Sequence, residues 1–274
     1  MISGRTAIIT STLDPASMNI REVLLSNYSF RKINEKAFGN EVFKFRNIML
    51  ITIDCELVEA SFLEEELNFE ILIFASRHES SAKLPSLLVH ATGNFTDEVK
   101  LGGRPRKLSI APPAAMLAAL KQLMKEKNSL KLDNWEVSYE ATHHGPYLKK
   151  TAVVFIEIGS EHEEWMNKRA GRAVAAAIIA AASAKEEKIT CIAFGGPHYA
   201  PKITKEALKK NFLVGHIAPK YVLDYIDAQM IKQMIERTKG SVRYALLDWK
   251  GMKKRHRERL LHLLEEFGLN MIKL

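Results

Sequence analysis

Thr151-Ala152-Val153-Val154-Phe155-Ile156-Glu157-Ile158-Gly159-Ser160 is the stretch that decides the fold. An uninterrupted apolar run of this kind marks a strand covered on both faces, as in the interior of a parallel or mixed sheet. Ser160, with Glu163 three residues on, has the spacing of a capping box. It opens a helix expected to run to about Lys185. The Ala-rich middle of that helix, Ala173 to Ala184, permits close approach to a sheet. Ile189 to Phe194 is the next apolar run, so the pattern is strand, helix, strand. Glu157 is the exception inside the first strand: a carboxylate in such a run is either buried with a partner or at the sheet's edge.

The same alternation extends both ways. Arg5 to Ser11 reads as a buried strand that empties into Ser11-Thr12-Leu13-Asp14-Pro15, with Ser17 as the expected N-cap of a helix to about Leu25. Glu41 to Phe45 alternates as an edge strand, and Ile48 to Ile53 is a buried one. Phe69 to Ala75 ends at His78 and Leu87 to Val89 ends at His90. Pro112-Pro113 starts a helix to about Lys127, with Ala115, Leu117, Leu120 and Met124 as its buried stripe. Trp135 to Tyr139 is a strand that leads into Thr142-His143-His144-Gly145-Pro146. Beyond Phe194 come Gly195-Gly196-Pro197-His198-Tyr199 and a helix capped by Thr204. A loop at Leu213 to Tyr221, a helix from Ala228 to Thr238, a strand from Val242 to Leu247 and a basic helix from Lys253 to Phe267 complete the chain, with Leu269 to Ile272 as a last strand. The class is α/β, with helices on both sides of a mixed sheet. No repeat or low-complexity linker divides the 274 residues, so one domain is expected. The Gly/Pro/basic segment 96–111 reads as a mobile excursion within it.

Composition narrows the function classes. Hydrophobic residues make up 47% and charged residues 26%, as in an ordinary globular chain. No apolar run is long enough to span a bilayer, and the N-terminus lacks a signal-peptide pattern. Cys55 and Cys191 form no CxxC pair and sit in apolar runs. A reducing cytoplasm is the expected setting. The net charge of +8 favours a polyanionic partner, nucleic acid first.

The chemistry-bearing residues fall at strand ends. His78, His90, His143 with His144, and His198 give one imidazole or pair per loop, from loops that could share one edge of the sheet. Imidazole is both the commonest metal ligand and the commonest general base near neutral pH. Any one of them alone could equally cap a loop backbone. Neighbouring side chains of an extended segment point apart, so one of His143 and His144 is expected in the site and the other supporting the loop. Glu157 could orient an imidazole. Glu161, Glu163 and Glu164 suit the first turn of a helix, with His162 a secondary candidate. Gly93, Gly159, Gly195-Gly196 and Gly215 could expose backbone N–H groups, those of Gly93 or Gly195-Gly196 to a developing oxyanion. GxGxxG, GxxxxGK[ST] and GxSxG are absent. Arg104, Arg106, Lys107, Lys149, Lys150, Lys202 and Lys220, with Lys253, Lys254, Arg255, Arg257 and Arg259 of the last helix, would form a basic rim.

Five motifs in order, Ser76-Arg77-His78-Glu79-Ser80, His90-Ala91-Thr92-Gly93-Asn94-Phe95, Thr142-His143-His144-Gly145-Pro146, Glu157-Ile158-Gly159-Ser160 and Gly195-Gly196-Pro197-His198-Tyr199-Ala200-Pro201, resemble the archaeal and plant D-aminoacyl-tRNA deacylases. The resemblance covers nearly the whole chain. It implies hydrolysis of the ester between a D-amino acid and tRNA, zinc as cofactor, and a three-layer α/β/α sandwich of the phosphorylase/hydrolase-like kind. His90, His143, His144 and His198 become the metal-ligand candidates, and His143, His144 and Glu157 the catalytic ones. Gly93, Asn94, Gly195, Gly196 and Tyr199 become substrate contacts, and Arg104, Lys149, Lys150, Lys202 and Lys220 contacts to tRNA, in a monomer or weak dimer. A peptidyl-tRNA hydrolase, a zinc exopeptidase and an RNA-binding module without chemistry are the alternatives.

Overall fold

The computed structural model describes residues 2–99, 101–185 and 189–274. From the N-terminus come β1 (Ile2–Ser11), α1 (Pro15–Asn27), β2 (Arg31–Ala37), β3 (Asn40–Phe45), β4 (Ile48–Ile53), α2 (Leu63–Glu66), β5 (Leu67–Glu79) and β6 (Ser86–His90). The short strands β7 (Gly93–Asn94) and β8 (Lys107–Leu108) precede α3 (Pro113–Ser129), β9 (Glu136–Tyr139), β10 (Ala152–Ser160), α4 (His162–Trp165) and α5 (Lys168–Ala182). The remainder is β11 (Ile189–Phe194), α6 (Pro201–Lys210), β12 (Val214–Ala218), α7 (Ala228–Glu236), β13 (Ser241–Leu247), α8 (Lys254–Glu266) and β14 (Asn270–Lys273).

A mixed eight-stranded sheet carries the order β2-β3-β4-β1-β5-β10-β6-β9, so β10 is interior as its apolar run requires. It runs parallel to β5 and antiparallel to β6. Period-two alternation divides each central strand between two cores. Ile73, Ala75, Val154, Ile156 and Ile158 face a core completed by α1, α3 and α5. The Ala-rich face of α5 lets its backbone settle there: Ala173, Ala177 and Ala181 are buried. Leu72, Phe74, Val153 and Phe155 face the other way, under Leu57, Ala60 and Leu63, with the Phe74 and Phe155 rings stacked at 4.7 Å. Strands β11 to β14 form a second, parallel sheet ordered β12-β11-β13-β14. One of its faces joins the α3-bearing core and the other packs on α7 and α8. Alternation of element types predicts the α/β class with a mixed sheet; the partition of strands between two sheets is not written in it.

Several local expectations change. Asp14, not Ser17, caps α1: its carboxylate accepts from the Ser17 N–H at 2.9 Å, and Pro15 takes the first helical turn. Ser160 stays in β10, so the capping box forms one residue later, between Glu161 and Glu164. The helix expected to Lys185 breaks at Asn167, which caps α5. Thr204 lies inside α6, where its hydroxyl accepts from the Tyr139 N–H. The loop expected at Leu213 to Tyr221 contains β12, whose apolar Val214, Ile217 and Ala218 bury it. Arg31–Ala37 forms the edge strand despite its charge, which suits an unpaired edge. Segment 96–111, in which Lys100 lies outside the described residues, is docked rather than loose. Gly145 N–H donates to Leu101 O at 2.8 Å, and Arg106 pairs with Asp227 at 2.6 Å. Gly102, at φ +69°, brings its backbone against that of Val58, where an added Cβ would lie 1.8 Å from a carbonyl oxygen. Only glycine fits that contact.

Candidate active site

The strands that fill the Phe74–Phe155 core turn polar as they run on. Along one face, Phe74 is followed by Ser76 and His78, and Phe155 by Glu157. Register places His90 of the antiparallel β6 beside Phe155 and Gly159 beside His78. The site therefore lies on a face of the sheet above Phe155, not at a shared rim of strand ends. A roof completes it. Segment 140–143 is stitched to Tyr199, Ile217 and Thr92 by single backbone bridges and bonds.

Four imidazoles meet there. Ring centroids of His90, His143 and His144 stand 4.3–4.8 Å apart, and His198 is 4.6 Å from His143. One ligand atom from each of His90, His143 and His144 lies within 4.8 Å of the others, and the same holds for the trio Glu140, His143 and His198. His144 adopts φ +40°, and this left-handed turn folds the second histidine back beside the first. Both therefore border the cavity, and the expected division into one site residue and one supporting residue does not hold. In three of the rings Nδ1 is fixed by a backbone carbonyl: His90 to Ala91 at 3.1 Å, His143 to Ala141 at 2.8 Å and His144 to Gly145 at 2.5 Å. A carbonyl only accepts, so Nδ1 carries the proton and Nε2 keeps its lone pair. His90 Nε2 is buried without a hydrogen-bond partner, as is Glu140 Oε2.

Two buried carboxylates lie behind the rings. Glu157 Oε2 is 3.5 Å from His78 and 3.6 Å from His90, and Glu140 Oε1 is 3.4 Å from His78 and 2.9 Å from His198. Burial opposes charge on His78 and His90, but Glu157 and Glu140 beside them outweigh it and raise both above the usual imidazole range. Burial likewise works against ionised Glu157, yet the two imidazoles hold it well below the usual carboxylate range. For His143 and His144 the Glu157 charge acts in the same direction but is outweighed. Burial, then neighbouring imidazoles, push His143 well down and His144 to about 3. The cluster thus keeps two neutral donors beside a carboxylate-rich wall that calls for positive charge.

A family model described as D-aminoacyl-tRNA deacylase matches residues 65–272. The D-aminoacyl-tRNA deacylases of Pyrococcus abyssi and Pyrococcus furiosus are 41% and 39% identical to this chain, each match spanning 97% of this chain and 98% of the relative. The chain belongs to the D-aminoacyl-tRNA deacylase family. A crystal structure of a conserved protein of unknown function has the same fold, with TM-score 0.88 at 25% identity, covering 100% of this chain and 96% of its own.

Against this family background, the remaining candidates separate by position. Tyr199 is in the site, its hydroxyl 2.8 Å from His78 Nε2. Gly93 borders the histidines, but its N–H is spent on the carbonyls of His143 and His144, so it offers no oxyanion donor. Gly195 N–H is likewise taken by Ala218 O. Gly195 and Gly196 stand against Met252 and Asp248. Asn94 closes its own turn through Thr96 and Glu98. Gly215 is packed against the Thr238 side chain. Arg104 lies over Tyr147, and the N–H groups of Lys149 and Lys150 bind Glu64, leaving both ammonium groups exposed. Lys202 is held by Asp248 at 2.5 Å. His162 packs on Trp165, outside the cluster. Burial raises the Cys191 thiol to about 12, which makes it inert. Sequence reasoning passed over Glu140 and Asp14. Glu140 carried a signal, a carboxylate at the end of a buried strand three residues before the paired histidines. Asp14 faces the cavity, accepts from Arg77 N–H at 2.8 Å and is raised by burial to about 6.

Proposed function

We propose that this cluster hydrolyses the ester of D-aminoacyl-tRNA, with zinc held by His90, His143 and His144. Family membership carries the reaction class, a hydrolase acting on an aminoacyl ester. The supporting observation for the metal is the donor set itself: one buried and two half-buried imidazoles with Nδ1 fixed by carbonyls, and two buried polar atoms, His90 Nε2 and Glu140 Oε2, with no hydrogen-bond partner. Imidazole held through its other nitrogen is the usual arrangement around zinc. Bound zinc would lower the pKa of a water to about 7 and polarise the ester carbonyl.

The chain's own groups divide the rest. Glu157 stays ionised beside His78 and His90, its carboxylate 3.5 Å and 3.6 Å from their rings. Glu140 accepts from His198 Nε2, so His198 Nδ1 is left as a proton acceptor at the cavity mouth, where the Tyr221 hydroxyl sits 2.8 Å away. Among the described residues no helix is long and apolar enough to cross a membrane, in keeping with an enzyme that meets tRNA in the cytoplasm.

The test is hydrolysis of D-tyrosyl-tRNA, L-tyrosyl-tRNA and a peptidyl-tRNA, with metal analysis of the purified protein. The expected outcome is turnover of the D-ester alone, loss of activity on chelation and return with zinc. Comparable turnover of peptidyl-tRNA would replace this reading with a peptidyl-tRNA hydrolase; metal-free full activity would remove zinc from it.

A further inference from the structure

Three cavities lie in a row, and shared residues connect them. The first, about 460 Å³, is lined by Asp14, Arg77, His78 and Glu157. It meets a second, about 430 Å³, at His143, His144 and Leu101, which border both. The second is walled by Phe95, Val222, Tyr221 and Tyr225. Tyr221 and Tyr225 present large rings to solvent, 54% and 46% exposed. On its far side Tyr221 also borders a third cavity, about 610 Å³, lined by Lys220, Lys250 and Lys253. The carboxylate of this third cavity, Asp224, is already engaged by Arg255 at 2.8 Å and His256 at 3.0 Å, so the lysines are not neutralised by it.

The geometry points to a track for the single-stranded 3′ end of the RNA, running outward from the imidazoles. The terminal nucleoside would occupy the Tyr221–Tyr225 cavity, its base against the exposed rings. The phosphodiester preceding it would lie among Lys220, Lys250 and Lys253. The amino acid would then project into the remaining cavity, beside Glu157. Exposed aromatic rings followed by a cationic groove is the arrangement that holds unpaired nucleic acid with little regard to sequence. The order also matches the chemistry. The scissile ester joins the amino acid to the terminal ribose, so it must lie where the amino-acid cavity and the nucleoside cavity meet, and His143 and His144 are there. This track rests on the deacylase reading.

Two variants and two substrates test it: K250E/K253E and Tyr225→Ala, each assayed on D-tyrosyl-tRNA and on 3′-O-D-tyrosyl-adenosine, which lacks the phosphodiester. K250E/K253E should raise KM roughly tenfold for the tRNA, flatten its log–log salt dependence by about 0.7 per lost phosphate contact, and leave the adenosine ester unchanged. Tyr225→Ala should raise KM for both, by roughly tenfold. Thermal melting confirms that the variants are folded. Wild-type turnover with KM for tRNA unchanged in K250E/K253E overturns the track alone, and so does an unchanged KM for the adenosine ester in Tyr225→Ala. If the wild-type protein hydrolyses neither substrate, the deacylase reading fails and the track falls with it.

Discussion

His216 and His144 make an instructive pair. His216 lies buried in β12 and His144 half-buried in the loop before β10, and in both burial is the first cause of a depressed imidazole, to about 4 for His216 and about 3 for His144. The ring nitrogens tell them apart. His216 places Nδ1 3.2 Å from the Thr142 hydroxyl and Nε2 3.1 Å from the carbonyls of Ser109 and Arg237. It is fully partnered and knits β12 to the loops beside it. His144, like His90 and His143, has one nitrogen fixed by the backbone and the other toward a cluster. A depressed proton affinity is therefore common to structural and site histidines. An imidazole with one nitrogen tied down and one left open is what marks the site.

The comparison breaks most visibly if the two residues behave alike. His144→Ala should lower D-tyrosyl-tRNA turnover on the order of 10²–10⁴-fold while the melting temperature stays within a few degrees of wild type. His216→Leu should do the reverse. It leaves the Ser109 carbonyl without its imidazole donor and takes one of two partners from the Thr142 hydroxyl, which keeps the Ile217 N–H, and from the Arg237 carbonyl, which keeps the Ala111 N–H, costing about 1–3 kcal/mol in urea unfolding, with kcat per folded molecule within a few-fold of wild type. An inactive but stable His216→Leu, or an active His144→Ala, would erase the distinction. Glu140→Gln sharpens it with a smaller effect. Its amide keeps the shape but loses the charge that orients His198, so activity should fall roughly 10- to 100-fold, with no matching loss of stability. An unchanged rate would remove Glu140 from the site.

How much of this is legible in the sequence depends on range. β10 was readable because a continuous apolar run can only be interior, and its lone Glu157 flagged the site from within the strand. The histidines were readable as candidates because each follows such a run. What joins them was not. His90 enters from a strand antiparallel to β10, so its meeting with Glu157 depends on register, which no local pattern encodes. The return of His144 depends on one left-handed residue, and the docking of segment 96–111 on a backbone contact between Gly102 and Val58. Helix caps slipped for a related reason. Asp14, Ser17, Ser160 and Glu161 are all competent caps, and the tertiary position of each decides which of them acts. The pattern around His216 reads as a loop because Gly215 and Pro219 outweigh Val214, Ile217 and Ala218 locally.

The smallest expected effect is also the most direct view of the contrast. In the unfolded chain an imidazole takes up a proton near pH 6.5, whereas folded His216 resists it until about pH 4. The stability that neutral His216 contributes is thus complete above pH 6.5. It is lost as pH falls toward 4, at up to about 1.4 kcal/mol per pH unit. His78, His90 and Asp14 act oppositely, since their raised values favour the protonated forms and their contribution is lost as pH rises. The wild-type profile mixes these signs, but the difference between wild type and His216→Leu cancels all except His216. Urea unfolding of both proteins from pH 7.5 to 4.5 should therefore show the gap between them narrowing steadily below pH 6.5. A gap that stays constant would mean that His216 is protonated in the folded protein like any exposed histidine, and that its three hydrogen-bond partners do not hold it neutral.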